Sequence, residues 1–118
     1  MYKVEYYVSY DGCEFKTREE CEQYERDVME SCKKVYDTYD FLDEDKVKVI
    51  DFDENALVID VVDGIENAYQ KCVYVRTKEK PTEEVLKFLR FEFGILPPQE
   101  KGVYEVDCWK GGWVKVDE

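Results

Sequence analysis

The stretch TREECEQYERDVMESCKKVYD, Thr17 to Asp37, constrains the fold more than any other part of the chain. Thr17 with Glu20 three residues on is a capping box, which satisfies amides left unpaired at a helix start. Cys21, Tyr24, Val28, Ser31/Cys32, Val35 and Tyr39 then recur at steps of three and four, so one stripe of the helix is apolar. Glu19, Glu20 and Glu22 fall early, and Lys33 and Lys34 late, in keeping with the helix dipole. Such a helix must lay its stripe on something, and the flanking segments supply a different period. Tyr2, Val4, Tyr6, Val8 and Tyr10 alternate with Lys3, Glu5 and Ser9, which predicts a strand over Tyr2–Tyr10 that turns at Asp11-Gly12.

Further along, KVKVIDF and ALVIDVVD read as two strands about the turn DENA. AYQKCVYVRT reads as a third, introduced by Asp63-Gly64. PTEEVLKFLRFEFG predicts a second helix that starts at Pro81-Thr82, stops at Gly94 and presents Val85, Leu86, Leu89 and Phe93 on its apolar face. GVYEVDCW and GWVKVDE form a closing hairpin about Lys110-Gly111-Gly112. The order β-α-β-β-β-α-β-β predicts an α+β fold, a mostly antiparallel sheet with two helices packed on one face, as a single domain over residues 1–118. A chain of 118 residues with 15% aromatics can bury such a core without disulfides or a metal.

Several functions are disfavoured by what the chain lacks. It contains no histidine, which removes the commonest general base and every Ser-His or Cys-His pair. It has no Gly-rich phosphate loop, no G-x-S-x-G and no dinucleotide fingerprint. The reading is a protein that is not an enzyme and uses no cofactor. DFDENALVIDVVDG opens like a calcium loop with Asp51, Asp53 and Asn55, but Ala56 and Val62 stand where that loop needs its turn glycine and its bidentate glutamate. The expectation is no functional metal. Cys13, Cys21, Cys32, Cys72 and Cys108 form no C-x-x-C pair, and the start shows no secretory pattern. These features predict a cytoplasmic chain whose cysteines act mostly as small core residues.

Charge directs the remaining choice. Asp and Glu outnumber Lys and Arg by 29 to 17, for a net charge of −12. Direct binding to nucleic acid or an anionic membrane is disfavoured, and a basic protein partner is favoured. The densest acidic run is YDTYDFLDEDKVKVIDFDEN. Its Asp37, Asp40, Asp43, Glu44, Asp45, Asp51, Asp53 and Glu54 are the expected contacts, with Tyr36 or Tyr39 as aromatic anchors. Solvated loop is the competing reading of these carboxylates, and core is the competing reading of the tyrosines.

DGCEFKTREECEQYE, Asp11 to Glu25, together with the close GVYEVDCWKGGWVKVDE, resembles small acidic proteins of bacteriophages and mobile elements of Gram-positive bacteria. The resemblance implies a stoichiometric inhibitor of a host defence protein, similar in size and charge to anti-CRISPR proteins. The expected partner is a basic host protein such as a CRISPR effector nuclease, whose positive channel an acidic surface can occupy by nucleic-acid mimicry. The inhibitor itself would be a monomer or a homodimer in the host cytoplasm. The alternatives are a sponge for a signalling nucleotide, which needs cationic phosphate clamps where the chain has only Arg18, Arg26, Arg76 and Arg90, or a phage structural or interaction protein of unrelated role.

Overall fold

The computed structural model describes residues 6–107 and 112–116. Among these residues nine elements follow in order: β1 (Tyr7–Val8), β2 (Glu14–Phe15), α1 (Arg18–Thr38), β3 (Tyr39–Leu42), α2 (Val58–Lys71), β4 (Tyr74–Thr77), α3 (Glu83–Phe93), β5 (Gly102–Asp107) and β6 (Gly112–Val116). β3-β4-β5-β6 form one sheet in that order, with every neighbouring pair antiparallel. The fold is α+β, as the sequence predicts, with three helices where two were expected.

Sheet register decides which side chains meet the helices. It aligns Tyr39 with Thr77, Phe41 with Val75, and Val75 with Tyr104, so these share one face. Tyr39, Phe41 and Val75 are buried together with Val28, Cys32 and Val35 of α1, Val61, Val62, Ile65 and Ala68 of α2, and Val85 and Leu89 of α3. All three helices therefore cover the same side of the sheet. Burial raises the Cys32 thiol to about 12, with Glu92 adding to it, and raises Cys72 to about 11. Both act as small apolar residues, inert as nucleophiles near neutral pH.

The start signals of the two predicted helices and the stop at Gly94 hold. The Thr17 hydroxyl accepts from the Glu20 amide at 3.2 Å, and the Thr82 hydroxyl accepts from the Val85 amide at 3.3 Å. Gly94 ends α3 in the left-handed region at φ 65°. Lys34 reaches α3 instead of the end of its own helix, pairing with Glu84 at 3.0 Å.

Other expectations need correction. ALVIDVVD and the start of AYQKCVYVRT are not strands: they form α2. Gly64 is no turn residue. It lies inside α2, where a Cβ would stand 2.7 Å from the Ile50 side chain, so its bare backbone lets the preceding loop pack close. KVKVIDF does not form a strand and makes only the bridge Lys48–Leu42. α1 stops at Thr38, and Tyr39, expected on its stripe, begins β3.

Residues 1–5 of the predicted first strand lie outside the described residues, as do Cys108, Lys110 and Gly111 of the closing hairpin. The remainder of the first strand is the short ribbon β1–β2, apart from the main sheet. Its expected faces do not hold, because Tyr6 and Val8 are exposed while Ser9 is buried. Ser9 and Tyr24 both donate hydrogen bonds to the Asp11 carboxylate, which ties the ribbon to α1. Partial burial pushes Asp11 up, but these bonds and the Cys13 amide outweigh it and hold the carboxyl down at about 2.

Candidate functional site: an acidic loop and the groove beside it

The run singled out by its charge is split by the fold. Its first part is helix end and buried strand, and its second part is the long loop from β3 to α2.

Asp40 lies in β3 on the sheet face away from the helices, directly across from Arg76. Its side chain is only 8% exposed and is surrounded by Lys78 at 3.2 Å, Lys48 at 3.7 Å and Arg76 at 3.9 Å. The Lys78 ammonium also donates to the Tyr36 carbonyl at 2.6 Å. A carboxylate taken this far from water requires such partners. Asp40 is therefore withdrawn from the contact surface expected of it. Tyr39 is withdrawn as well: it is fully buried and its hydroxyl donates to the Pro98 carbonyl at 3.1 Å. Burial pushes its phenol up to about 12. It is core, not an anchor.

Asp43 begins the loop and spends its carboxylate internally. It accepts from the Asp45 amide at 2.8 Å and the Val47 amide at 3.0 Å. The turn closes with a bond from the Lys46 amide to the Asp43 carbonyl at 3.0 Å, and Lys46 takes a positive φ of 62°. Beyond the turn, the Val49 amide donates to the Phe41 carbonyl at 2.9 Å, so the returning chain covers part of the β3 edge. Lys46 comes to lie 5.6 Å from the centre of the Tyr74 ring.

Glu44, Asp45, Asp51, Asp53 and Glu54 are exposed. Asp51 has a long contact to Lys48 at 3.5 Å, and Asp53 accepts from the Asn55 amide at 2.9 Å. These carboxylates sit on the loop between β3 and α2. The loop is anchored. Phe52 packs on Tyr36 of α1 with ring centres 5.8 Å apart, which places Tyr36 beneath the loop as a half-buried support. Asp37 points elsewhere, lining a small recess with Lys34, Glu79 and Glu84.

Where the loop meets α1, an open groove of about 560 Å³ is formed. Its apolar lining is Met29 of α1 with Phe52, Ala56, Leu57 and Val58 of the loop and the start of α2. Glu22, Glu25 and Glu30 of α1 and Glu54 of the loop also line it, against Arg26 and Lys33. Leu57, at the N-cap of α2, is 70% exposed and adjoins this apolar lining. Of these groove residues the sequence marks only Glu54 as a partner contact; Glu22 and Lys33 read there as helix-dipole charges and Arg26 as one of the few arginines, while the apolar lining has no functional reading. A signal was present, since Glu22, Arg26, Met29 and Lys33 are spaced at three and four beside the buried stripe. Met29 is the apolar residue on that flank, half-buried at the edge of the core.

The arginines considered as nucleotide clamps are dispersed. Arg18 pairs with Glu22 at 2.9 Å, and Arg26 bonds Gln23 at 2.9 Å. Arg76 stands beside Asp40, and Arg90 lies with Phe91 on the surface of α3. Among the described residues, no group of three or more Asp, Glu, Cys or His is placed to hold a metal ion, and no helix is long and apolar enough to cross a membrane. Comparison with protein-family models, with curated proteins and with solved structures gives no match to this chain.

Proposed function

We propose that this chain is a non-catalytic binding module that occupies a basic, nucleic-acid-handling host protein, acting as a cytoplasmic inhibitor of the kind small acidic phage proteins provide. The observation that carries this reading is the exposure of Glu44, Asp45, Asp51, Asp53 and Glu54 on one loop, in a protein of net charge −12. Phe52 and the Asp43 turn hold that loop, so binding need not order it from a free chain. A Lys- or Arg-lined channel would meet several carboxylates at once, each contact charge-assisted, with approach speeded by the long-range field.

The test is capture from bacterial host lysate on the tagged protein at low salt, with a salt step and mass spectrometry of the eluate. The expected result is a basic nucleic-acid-binding protein released by salt. Reversing Glu44, Asp45, Asp51 and Glu54 to lysine should abolish that capture. Undiminished capture by the folded reversal variant overturns the assignment to this loop.

A further inference from the structure

We propose that the groove between α1 and residues 52–58 is the seat of an amphipathic, basic helix contributed by the protein partner. The inference rests on the reading of the chain as a module for a basic protein, and adds what part of that protein is gripped. Two independent features carry it. The first is the apolar surface of the groove, where Leu57, 70% exposed, stands beside the half-buried Met29, Phe52 and Ala56. Nucleic-acid mimicry gives no reason for such a surface, because a channel built for phosphates offers cations and not apolar side chains. The second is the charge around it, where Glu25, Glu30 and Glu54 exceed Arg26 and Lys33, Glu22 being paired with Arg18.

An apolar floor with an acidic border is complementary to a helix that carries apolar residues at i, i+3/i+4 and i+7 and lysine or arginine beside them. The apolar anchors would sit on Met29, Phe52 and Leu57, and the cations would reach the glutamates. A second copy of this chain offers one such surface, the Lys87-Phe88-Arg90-Phe91 patch of α3, where Phe91 is 88% exposed. That patch and the groove are different surfaces, so their pairing would be head-to-tail and would not close as a two-fold dimer. Such pairing builds rings or open filaments, whereas a helix from a separate basic protein fills the groove one-to-one.

The probe is a fluorescein-labelled synthetic helix of leucine and lysine with leucines at i, i+3/i+4 and i+7, compared with a scrambled peptide of the same composition. Anisotropy titrations of the full chain should show the amphipathic peptide binding about ten-fold or more tighter than the scrambled one, a difference of about 1.4 kcal/mol. Leu57→Ser and Met29→Ser should each weaken it several-fold, with thermal melts confirming that the variants are folded. Because Leu57 is exposed, Leu57→Ser keeps the test valid if Met29→Ser fails to fold.

Equal binding of the two peptides, binding unchanged in Leu57→Ser, or no binding of either peptide overturns the proposal. So does concentration-dependent self-association in sedimentation that Leu57→Ser abolishes, since the occupant is then a second copy. These results are separable from the broader reading. Capture of a salt-released basic protein by wild type and Leu57→Ser alike keeps the module and removes the groove, whereas no captured protein removes the module itself.

Discussion

Asp40 and Asp45 belong to one acidic run and do opposite work. Asp40 is enclosed in β3 by Lys48, Arg76 and Lys78, and its charge is consumed inside the molecule. Asp45 is exposed on the loop that follows, on the side of the turn that Asp43 stabilises through backbone amides. The difference is set by neighbours, not by residue type. A carboxylate covered by neighbouring side chains must find cations among them or lose hydration uncompensated, whereas an exposed loop carboxylate keeps its water and remains available to another protein.

The comparison can be broken hardest from the buried side. Tyr39→Ala should cost about 3–5 kcal/mol of unfolding free energy, because a fully buried ring leaves a cavity beneath all three helices. Tyr39→Phe should cost only about 0.5–1.5 kcal/mol, the usual net value of one hydrogen bond, here the one to Pro98. Denaturant melts of the two variants measure both. If Tyr39→Ala were instead neutral in stability but lost its partner, Tyr39 would be an anchor after all.

Asp40→Ala comes next, with an expected loss of about 2 kcal/mol. The full cost of orphaning a buried ion does not apply, because the cations left behind are each a third to a half exposed and can regain water. Lys78→Met should cost more than Lys48→Met, since Lys78 is nearer to Asp40 and also holds the Tyr36 carbonyl. Asp43→Ala should follow at about 1 kcal/mol, from the loss of the turn's two amide bonds. Equal costs at Asp40 and Asp43 would mean that burial does not distinguish the two.

Acid sharpens the contrast through Asp11. Its hydrogen bonds hold the folded carboxyl at about 2 against an ordinary 3.8, so its contribution to stability is complete above about pH 4. That contribution is lost as pH falls from there towards 2, where the folded group also takes up a proton. The melting temperature of wild type should therefore exceed that of Asp11→Asn at pH 6, and the gap should narrow between pH 4 and pH 2. A gap independent of pH would mean that the Ser9 and Tyr24 bonds do not depend on the carboxylate charge.

The parts of the fold legible in the sequence are those whose signals are local. Thr17, Thr82 and Gly94 mark helix ends by bonds to residues a turn away, and Cys21, Val28, Cys32 and Val35 declare a buried stripe by spacing alone. α2 was missed because Val58, Ile59, Val61 and Val62 are β-branched and Gly64 resembles a turn, so propensity pointed to strands. Its period was nevertheless helical, since Val61, Val62, Ile65, Ala68 and Cys72 are the buried positions. β3 was hidden by the absence of any glycine or proline between it and α1. The site was half legible: the exposed carboxylates follow from composition, while the cage around Asp40 depends on Arg76 and Lys78, and the groove on α1 meeting residues 52–58. Those pairings exist only once the chain has folded.

The smallest expected effect on stability is the one that best tests the comparison. Among the described residues the side chains of Glu44, Asp45 and Glu54 make no hydrogen bond or ion pair, so Glu44→Lys, Asp45→Lys and Glu54→Lys, made together, break none there. Surface changes of this kind usually stay within about 0.5 kcal/mol per site. The direction should be slightly stabilising, because reversing three charges reduces the self-repulsion of a chain at −12, most visibly at low ionic strength. Adding salt should erase the gain, since exposed charges are screened over about 10 Å at 0.1 M. Melts of wild type and the triple variant over a salt series measure this. A stability loss comparable to that of Asp40→Ala would place these carboxylates in the fold's own support and leave the loop without a surplus of charge for a partner.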